Sequence, residues 1–196
     1  MITLNELREK IFEQIPPEVH FTHEDAAAII RHKEMLLSWE PTIIKKHYDM
    51  LYAHGPTRAI FREDERERLE ELLSKWWRQL VNGPIDNRFW NWMTYVGLAH
   101  VLRKVKNPMM IAAWGHIANN VITGIQQEED RKALTSDEAR ALTMAFVKLG
   151  KIFTSLVAES YLTGLAEATG TNLALLETLA SHEVRPIMER SHVELE

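Results

Sequence analysis

The sequence predicts an all-α protein, and three observations lead to this prediction. Apolar residues recur at the three- and four-residue spacing of helices along nearly the whole chain. No segment shows the alternation of a half-buried strand. Gly and Pro number only 8 and 7 among 196 residues, and they stand between the periodic segments, where helices end. The helices themselves must therefore form the core.

The composition narrows the class of protein. The net charge of −5 provides no basic surface for nucleic acid or for anionic lipid. No apolar run approaches the ~18 residues of a membrane span, and Glu6, Glu9 and Glu13 interrupt any signal peptide. The absence of cysteine excludes disulfides and thiolate metal sites. We expect a cytoplasmic protein with neither a membrane nor a nucleic-acid partner.

The first helices are bounded by clear signals. A short helix is expected from Leu4 to Gln14, before two prolines. Thr22 opens a capping box for a second helix. Pro41 is expected to be the first residue of a third helix, which ends near Gly55.

The middle of the chain carries two more apolar faces. The first is the most regular stripe in the sequence, with Leu69, Leu72, Leu73, Trp76, Trp77 and Leu80 at helical spacing opposite charged residues such as Glu65. The next helix is expected from about Asp86 to Lys104, and its inner face carries Phe89, Met93, Val96 and His100.

Two long helices follow, from Met109 to Gln127 and from Ser136 to Leu165, and the apolar arc of each is wide. A helix packed on one side needs an apolar stripe of only about 100°, so a wider arc predicts a second buried face. An antiparallel pair of such helices can form a four-helix bundle with a second copy, which predicts a homodimer. A last amphipathic segment is expected from Leu173 to about Met188.

His100 is the first candidate for chemistry, because the residues around it, 96 to 102, are apolar. A buried imidazole without a partner costs about 1–3 kcal/mol, so it needs one. The partner is either a backbone carbonyl or the iron of a haem, for which imidazole is a standard axial ligand. Gly97 leaves space beside the imidazole, as a flat ligand requires, and Arg103 and Lys104 face either haem propionates or only the helix dipole.

Tyr48 is the second candidate, since it lies on the inward side of its helix and its hydroxyl needs a partner. That partner is either a ligand on iron or a backbone carbonyl. Other sites have weaker support: Glu189 and His192 form the chain's single Glu-x-x-His pair, whereas a di-iron bundle needs two. His20 and His23 are interpreted as two exposed histidines before a helix.

The order and spacing of these segments resemble the globin domain of globin-coupled sensors and protoglobins. The resemblance covers residues 22 to 165. Its last helix corresponds to Leu149 to Leu162. Five segments before Pro108 carry the rest of it: His47–Leu51, Arg58–Phe61, Arg68-Leu69, Asn82–Asp86 and Tyr95–His100.

The resemblance implies a globin-like fold and haem b as cofactor, held by His100 as the proximal ligand. It implies that Tyr48 hydrogen-bonds O2 on the distal side and that the two long helices form the dimer. The remaining cofactor-binding residues are then Leu69, Leu72, Trp76, Met93, Val96 and Gly97.

Three positions depart from the family's pattern. The residue before the distal tyrosine is commonly Phe and is His47 here, which introduces a second distal polar group or even an iron ligand. Since adjacent helical residues point about 100° apart, we expect Tyr48 to face the gas and His47 to lie at the helix edge, reaching a propionate. Leu72 stands where some members have Thr, and Met110-Ile111 stand where many have Trp-Tyr.

The predicted organisation is an N-terminal extension (1–21), a globin-like haem-binding sensor domain (22–168) and a C-terminal helical tail or signalling linker (169–196). We expect a sensor, not an enzyme, that binds O2, CO or NO reversibly and signals through its dimer interface. The sequence carries no output domain, so the chain is either a stand-alone sensor or the sensory part of a larger protein. The alternative is a haem-free interaction module whose pocket is filled by its own side chains: Trp76, Trp77, Phe89 and Met93.

Overall fold

The computed structural model describes residues 2–192, and within these residues the fold is helical without any strand, which confirms the all-α prediction. The described part of the chain forms ten α-helices: α1 (Leu4–Glu13), α2 (His23–Arg31), α3 (Lys33–Ala53), α4 (Gly55–Arg58), α5 (Arg66–Asn82), α6 (Asn87–Arg103), α7 (Asn107–Asp130), α8 (Ser136–Thr169), α9 (Leu173–Glu183) and α10 (Arg185–His192).

The capping boxes form as the sequence predicts. The Thr22 side chain accepts from the backbone N–H of Asp25, and the Asp25 carboxylate accepts from the backbone of Thr22. Thr135 and Glu138 make the same reciprocal pair at the start of α8. Gly170 ends α8 in the left-handed region (φ 68°), a conformation that glycine adopts without steric cost.

The predicted helix start at Pro41 is wrong. α3 runs without a break from Lys33 to Ala53, and the chain bends earlier, at His32, which ends α2 and begins α3. An interior proline removes one helical hydrogen bond. Leu36 and Ile43 are buried on either side of Pro41, and this packing holds both halves in one helix.

The core is built around α8, which packs against α6, α7 and α2. Leu142, Leu149, Ile152 and Leu156 of α8 have no exposed surface. Burial of each such side chain contributes about 1.5–3 kcal/mol. α8 is also the one described helix long and apolar enough to cross a membrane, and its packing against other helices accounts for that composition.

Gly97 has a different role from the one expected. It does not face the side on which a flat ligand would lie, because it contacts α8. A Cβ atom at Gly97 would stand 1.9 Å from Ser160 Oγ and 2.4 Å from the carbonyl oxygen of Val157. The glycine therefore allows α6 and α8 to approach closely, and it fixes the position of the helix that carries His100.

The two ends of the chain differ in how they pack. α1 lies in the predicted N-terminal extension, yet Leu7 and Ile11 are buried and α1 packs against α6 and α8. The boundaries at 21 and 168 stay predictions. The tail helices α9 and α10 leave apolar side chains such as Leu175 and Ile187 about half exposed. Residues 193–196 of the predicted tail lie outside the described residues.

The contact at Gly97 generates a stability prediction. Gly97→Ala is expected to lower the free energy of unfolding by about 1–3 kcal/mol, because the added methyl group must push against the α8 backbone. Gly55→Ala is the control, since no atom lies within 4 Å of a Cβ at that position. Urea denaturation measures both, and equal stabilities for the two variants would contradict the close contact.

Candidate functional site

A cavity of about 380 Å³ lies between α3, α5, α6 and α7. Its volume falls in the ~300–1,000 Å³ range of ligand and cofactor sites. Of the eight cofactor-binding residues predicted from the sequence, Gly97 does not line the cavity. The other seven do: His100, Tyr48, Leu69, Leu72, Trp76, Met93 and Val96. Their convergence on one cavity does not identify what they bind, so their role stays a prediction.

His100 projects into the cavity from the last turns of α6. Its Nδ1 is buried and has no hydrogen-bond partner, so the imidazole is not a core histidine bonded to a carbonyl. Burial, together with a smaller contribution from the nearby Arg103 charge, lowers the pKa of His100 to about 4. The imidazole is therefore neutral at pH 7, and neutral imidazole is the form that binds a metal.

Tyr48 lines the cavity from α3 and is 7% exposed. Its hydroxyl donates to the backbone carbonyl oxygen of Leu69 on α5, at 2.8 Å. Burial raises the pKa of Tyr48, so the phenol keeps its proton. Of the two partners that the sequence allows for the Tyr48 hydroxyl, a backbone carbonyl is the one present in this structure. This hydrogen bond connects α3 to α5.

The expectation that His47 lies at the helix edge is wrong. His47 is 8% exposed and lines the cavity beside Tyr48, with the two ring centroids 5.2 Å apart. Burial lowers the pKa of His47 to about 4, with a further contribution from His116. α3 packs against α5 and α7, and His47 lies on the covered part of the helix, whereas Lys45 and Lys46 beside it are exposed.

One ion pair stands at the wall of the cavity. Arg103 Nη1 donates to Glu65 Oε2 at 3.1 Å, and Arg103 Nη2 donates to Glu65 Oε1. The Glu65 side chain is only 6% exposed, and its hydrogen bonds from Arg103 lower the pKa of the carboxyl group. The Arg103 guanidinium also lies 5.9 Å from the centre of the Phe61 ring.

Of the two cations expected near propionates, only Arg103 lines the cavity, and Lys104 does not. The burial of Glu65 was not predicted, because helical periodicity assigns it to the polar face of α5. The sequence-based prediction also did not include the cavity residues of α7 and α8, because periodicity does not show which helix an apolar face packs against. These residues are Met109, Met110, Ala113, Trp114, Ile117 and Phe153.

The cavity opens to solvent between α5 and α6. Leu72 and Tyr95 both line it, and they are 47% and 55% exposed. The rest of the wall is largely apolar, with Trp76 Nε1 donating to the sulfur of Met93 at 3.1 Å. Within residues 2–192, no three His, Asp or Glu side chains are grouped so that they could hold a metal ion by themselves. The arrangement suits a large apolar ligand that meets the neutral imidazoles of His47 and His100.

The family model of protoglobins matches residues 9–167. The chain belongs to the protoglobin family. Among solved structures, it is similar to the globin domain of a globin-coupled sensor from Geobacter sulfurreducens, with 21% sequence identity and a TM-score of 0.65. That match covers 82% of this chain and 99% of the other, which confirms the globin-like fold. A comparison with curated proteins finds no match.

The buried histidines predict how the cofactor-free protein responds to acid. In the unfolded chain an imidazole has a pKa near 6.5, whereas the folded pKa of His47 and of His100 is about 4. Between these values the unfolded state binds more protons, so stability falls as the pH decreases from 6.5 to 4. Each histidine contributes up to about 1.4 kcal/mol per pH unit.

His100→Leu removes one of these groups, so its loss of stability between pH 6.5 and pH 4 is expected to be shallower than in the wild type. Urea denaturation at several pH values measures the free energy of unfolding of both proteins. The contributions of the carboxyl groups are the same in both, so they cancel in the difference. His54→Gln, at an exposed position, is the control and is expected to follow the wild type. Parallel curves for His100→Leu and the wild type would show that His100 is not buried in its neutral form.

Proposed function

We propose that this protoglobin binds haem b in the cavity and reversibly binds a diatomic gas (O2, CO or NO) beside it. One observation carries the proposal: His100 presents to an apolar cavity of cofactor size a neutral imidazole, neither nitrogen of which makes a hydrogen bond. The role is binding and signalling and not catalysis, in the cytoplasm.

The residues present fit such a cofactor. His100 would hold the iron, and the apolar side chains Leu69, Trp76 and Val96 would contact the ring. Arg103 is the cation placed to meet a propionate, although it now pairs with Glu65. When bound, the iron supplies the site at which a gas coordinates.

Tyr48 is proposed as the group that stabilises O2. Its hydroxyl has a single proton, which the Leu69 carbonyl now accepts. To donate to O2 the hydroxyl must leave that carbonyl, so one hydrogen bond is exchanged for another. This exchange makes the net gain smaller than that of a new hydrogen bond.

The route to a partner subunit is proposed to run through α6 and α8. His100 lies one helical turn after Gly97, whose backbone rests on Ser160 and Val157 of α8. The side of α8 opposite the core carries exposed apolar residues, among them Met144, Leu162 and Leu165, and Ile111 is exposed on α7. We propose that these faces meet in a homodimer, and that an output domain or protein responds to it.

The haem-free alternative has less support. It needs the cavity to be filled by Trp76, Trp77, Phe89 and Met93. Trp77 and Phe89 do not line the cavity, and Trp77 donates its indole N–H to the Leu36 carbonyl in the core at 3.0 Å. Trp76 and Met93 form part of the wall, and a cavity of about 380 Å³ remains.

Haem reconstitution tests the proposal. The wild type is expected to acquire a Soret band, and His100→Ala is expected to bind haem at least ~100-fold more weakly, because even outer partners of metal ligands typically contribute ~10–100-fold. Titration with haem, followed by absorbance, measures the affinity, and His54→Ala is the control. Absence of a Soret band in folded wild-type protein would overturn the haem proposal, and unchanged affinity in His100→Ala would overturn the assignment of the ligand.

Tyr48→Phe tests the distal side. The net loss of about 1 kcal/mol from the exchange of hydrogen bonds corresponds to O2 dissociating about fivefold faster. CO, whose outer oxygen carries little charge, is expected to change much less. Stopped-flow dissociation rates measure both, with Tyr95→Phe at the exposed mouth as the control. If His47 variants accelerate O2 release while Tyr48→Phe does not, the assignment of Tyr48 is wrong.

Ala158→Glu tests the dimer. Ala158 lies on the same side of α8 as the exposed Leu162 and Leu165. A buried charge at the interface is expected to give monomers that still bind haem. Analytical ultracentrifugation at micromolar concentration measures the mass, and Ala133→Glu, in the exposed loop after α7, is the control. A monomeric wild type would contradict the proposed interface.

A further inference from the structure

Two imidazoles outside the proximal site each have a buried ring nitrogen without a partner. His47 Nδ1 on α3 and His116 Nε2 on α7 are both buried atoms, and neither makes a hydrogen bond. Buried polar atoms in native proteins are nearly always satisfied. Two exceptions of the same chemical kind on packed helices therefore point to a shared role.

Neighbouring contacts show that α3 and α7 meet at these two residues. Lys46, which precedes His47, donates to the side chain of Asn120 at 3.2 Å. Asn120 in turn donates to the backbone carbonyl of His116 at 2.8 Å. Two consecutive hydrogen bonds, from Lys46 to Asn120 and from Asn120 to the His116 carbonyl, thus connect α3 to α7 beside the two histidines.

The two ring nitrogens of His47 face different surroundings. Nδ1 is enclosed, whereas the ring lines the same cavity as His100. Nε2 makes no hydrogen bond and is not among the enclosed unpartnered atoms, so it is the nitrogen that meets the cavity. His116 lies on α7 and does not line the cavity.

This arrangement matches the pattern of a metal-bound histidine. Such a histidine presents a lone pair to the metal from one nitrogen and donates the N–H of the other to a partner, which fixes the tautomer. His116 carries the unpartnered buried atom on α7 that can accept from His47 Nδ1–H, and it is near enough to contribute to the lowered pKa of His47. The lone pair of His47 Nε2 then faces the cavity.

We infer that His47 is a second axial ligand for the ferric iron of the haem, and that His116 is the positioning residue that fixes its tautomer. The inference rests on the proposed function, since it needs haem in the cavity. His47 and His100 then bind the iron from α3 and α6. A gas that enters the sixth position must displace His47, so the competition with His47 sets how readily the gas binds.

The spin state of the ferric iron tests the inference. Two imidazole ligands give a low-spin ferric haem, so the haem-loaded wild type is expected to show a low-spin spectrum by absorption and electron paramagnetic resonance. His47→Phe is expected to lose the low-spin species while keeping haem through His100. His54→Gln, which removes an exposed histidine, is the control and is expected to stay low-spin.

Two further variants make the test specific. In His47→Ala, added imidazole is expected to restore the low-spin spectrum, which separates loss of a ligand from loss of the fold. In His116→Phe the low-spin fraction is expected to fall although no cavity residue changes. A high-spin ferric wild type, or a low-spin His47→Phe, would overturn the inference while leaving the haem proposal intact. A protein that binds no haem would overturn both.

Discussion

The close approach of α6 and α8 is the constraint on which the rest of the structure depends. Gly97 lets the α6 backbone rest on Ser160 and Val157, where a methyl group would collide with a backbone carbonyl. Gly164 makes a second close contact, with Leu98 of α6, and Gly150 makes a third, with the indole of Trp114 on α7. α8 is therefore held close to its neighbours by three glycines, Gly150 and Gly164 of its own and Gly97 of α6. Because interiors are close-packed, the depth at which His100 stands in the cavity follows from these contacts.

The sequence predicts what depends on local pattern and misses what depends on which helices meet. Helical periodicity and capping residues predict the helices, and the inward faces of α3 and α6 identify Tyr48 and His100 as cavity residues. The same periodicity shows towards which side of its own helix a side chain points, but it does not show which other helix packs on that side. Gly97 was thus assigned to the ligand side although it meets α8, and His47 was assigned to an edge that α7 covers. Pro41 shows a related limit, since tertiary packing on both sides overrides a local signal.

The unsatisfied polar groups concentrate around the cavity. In the described part of the chain, the buried side-chain atoms without a hydrogen-bond partner belong to His47, Tyr52, His100 and His116. Two of these residues line the cavity, and Tyr52 stacks on the lining residue Phe61 with the ring centroids 5.1 Å apart. Folding must bury these groups at a cost of about 1–3 kcal/mol each. Natural proteins tolerate such violations mainly at functional sites, where a ligand recovers part of the cost.

The connections from the cavity lead to different helices, and this separates the two sides of the site. The Tyr48 hydroxyl joins α3 to the α5 backbone at Leu69. His100 belongs to the helix that rests on α8. Under the proposed function, a gas that draws the Tyr48 proton away would break one of the hydrogen bonds that join α3 to α5. Movement of His100 would instead act on the α6–α8 contact at Gly97. Because α8 also carries the exposed apolar residues proposed to form the dimer, this second connection is the one that leads to the proposed interface.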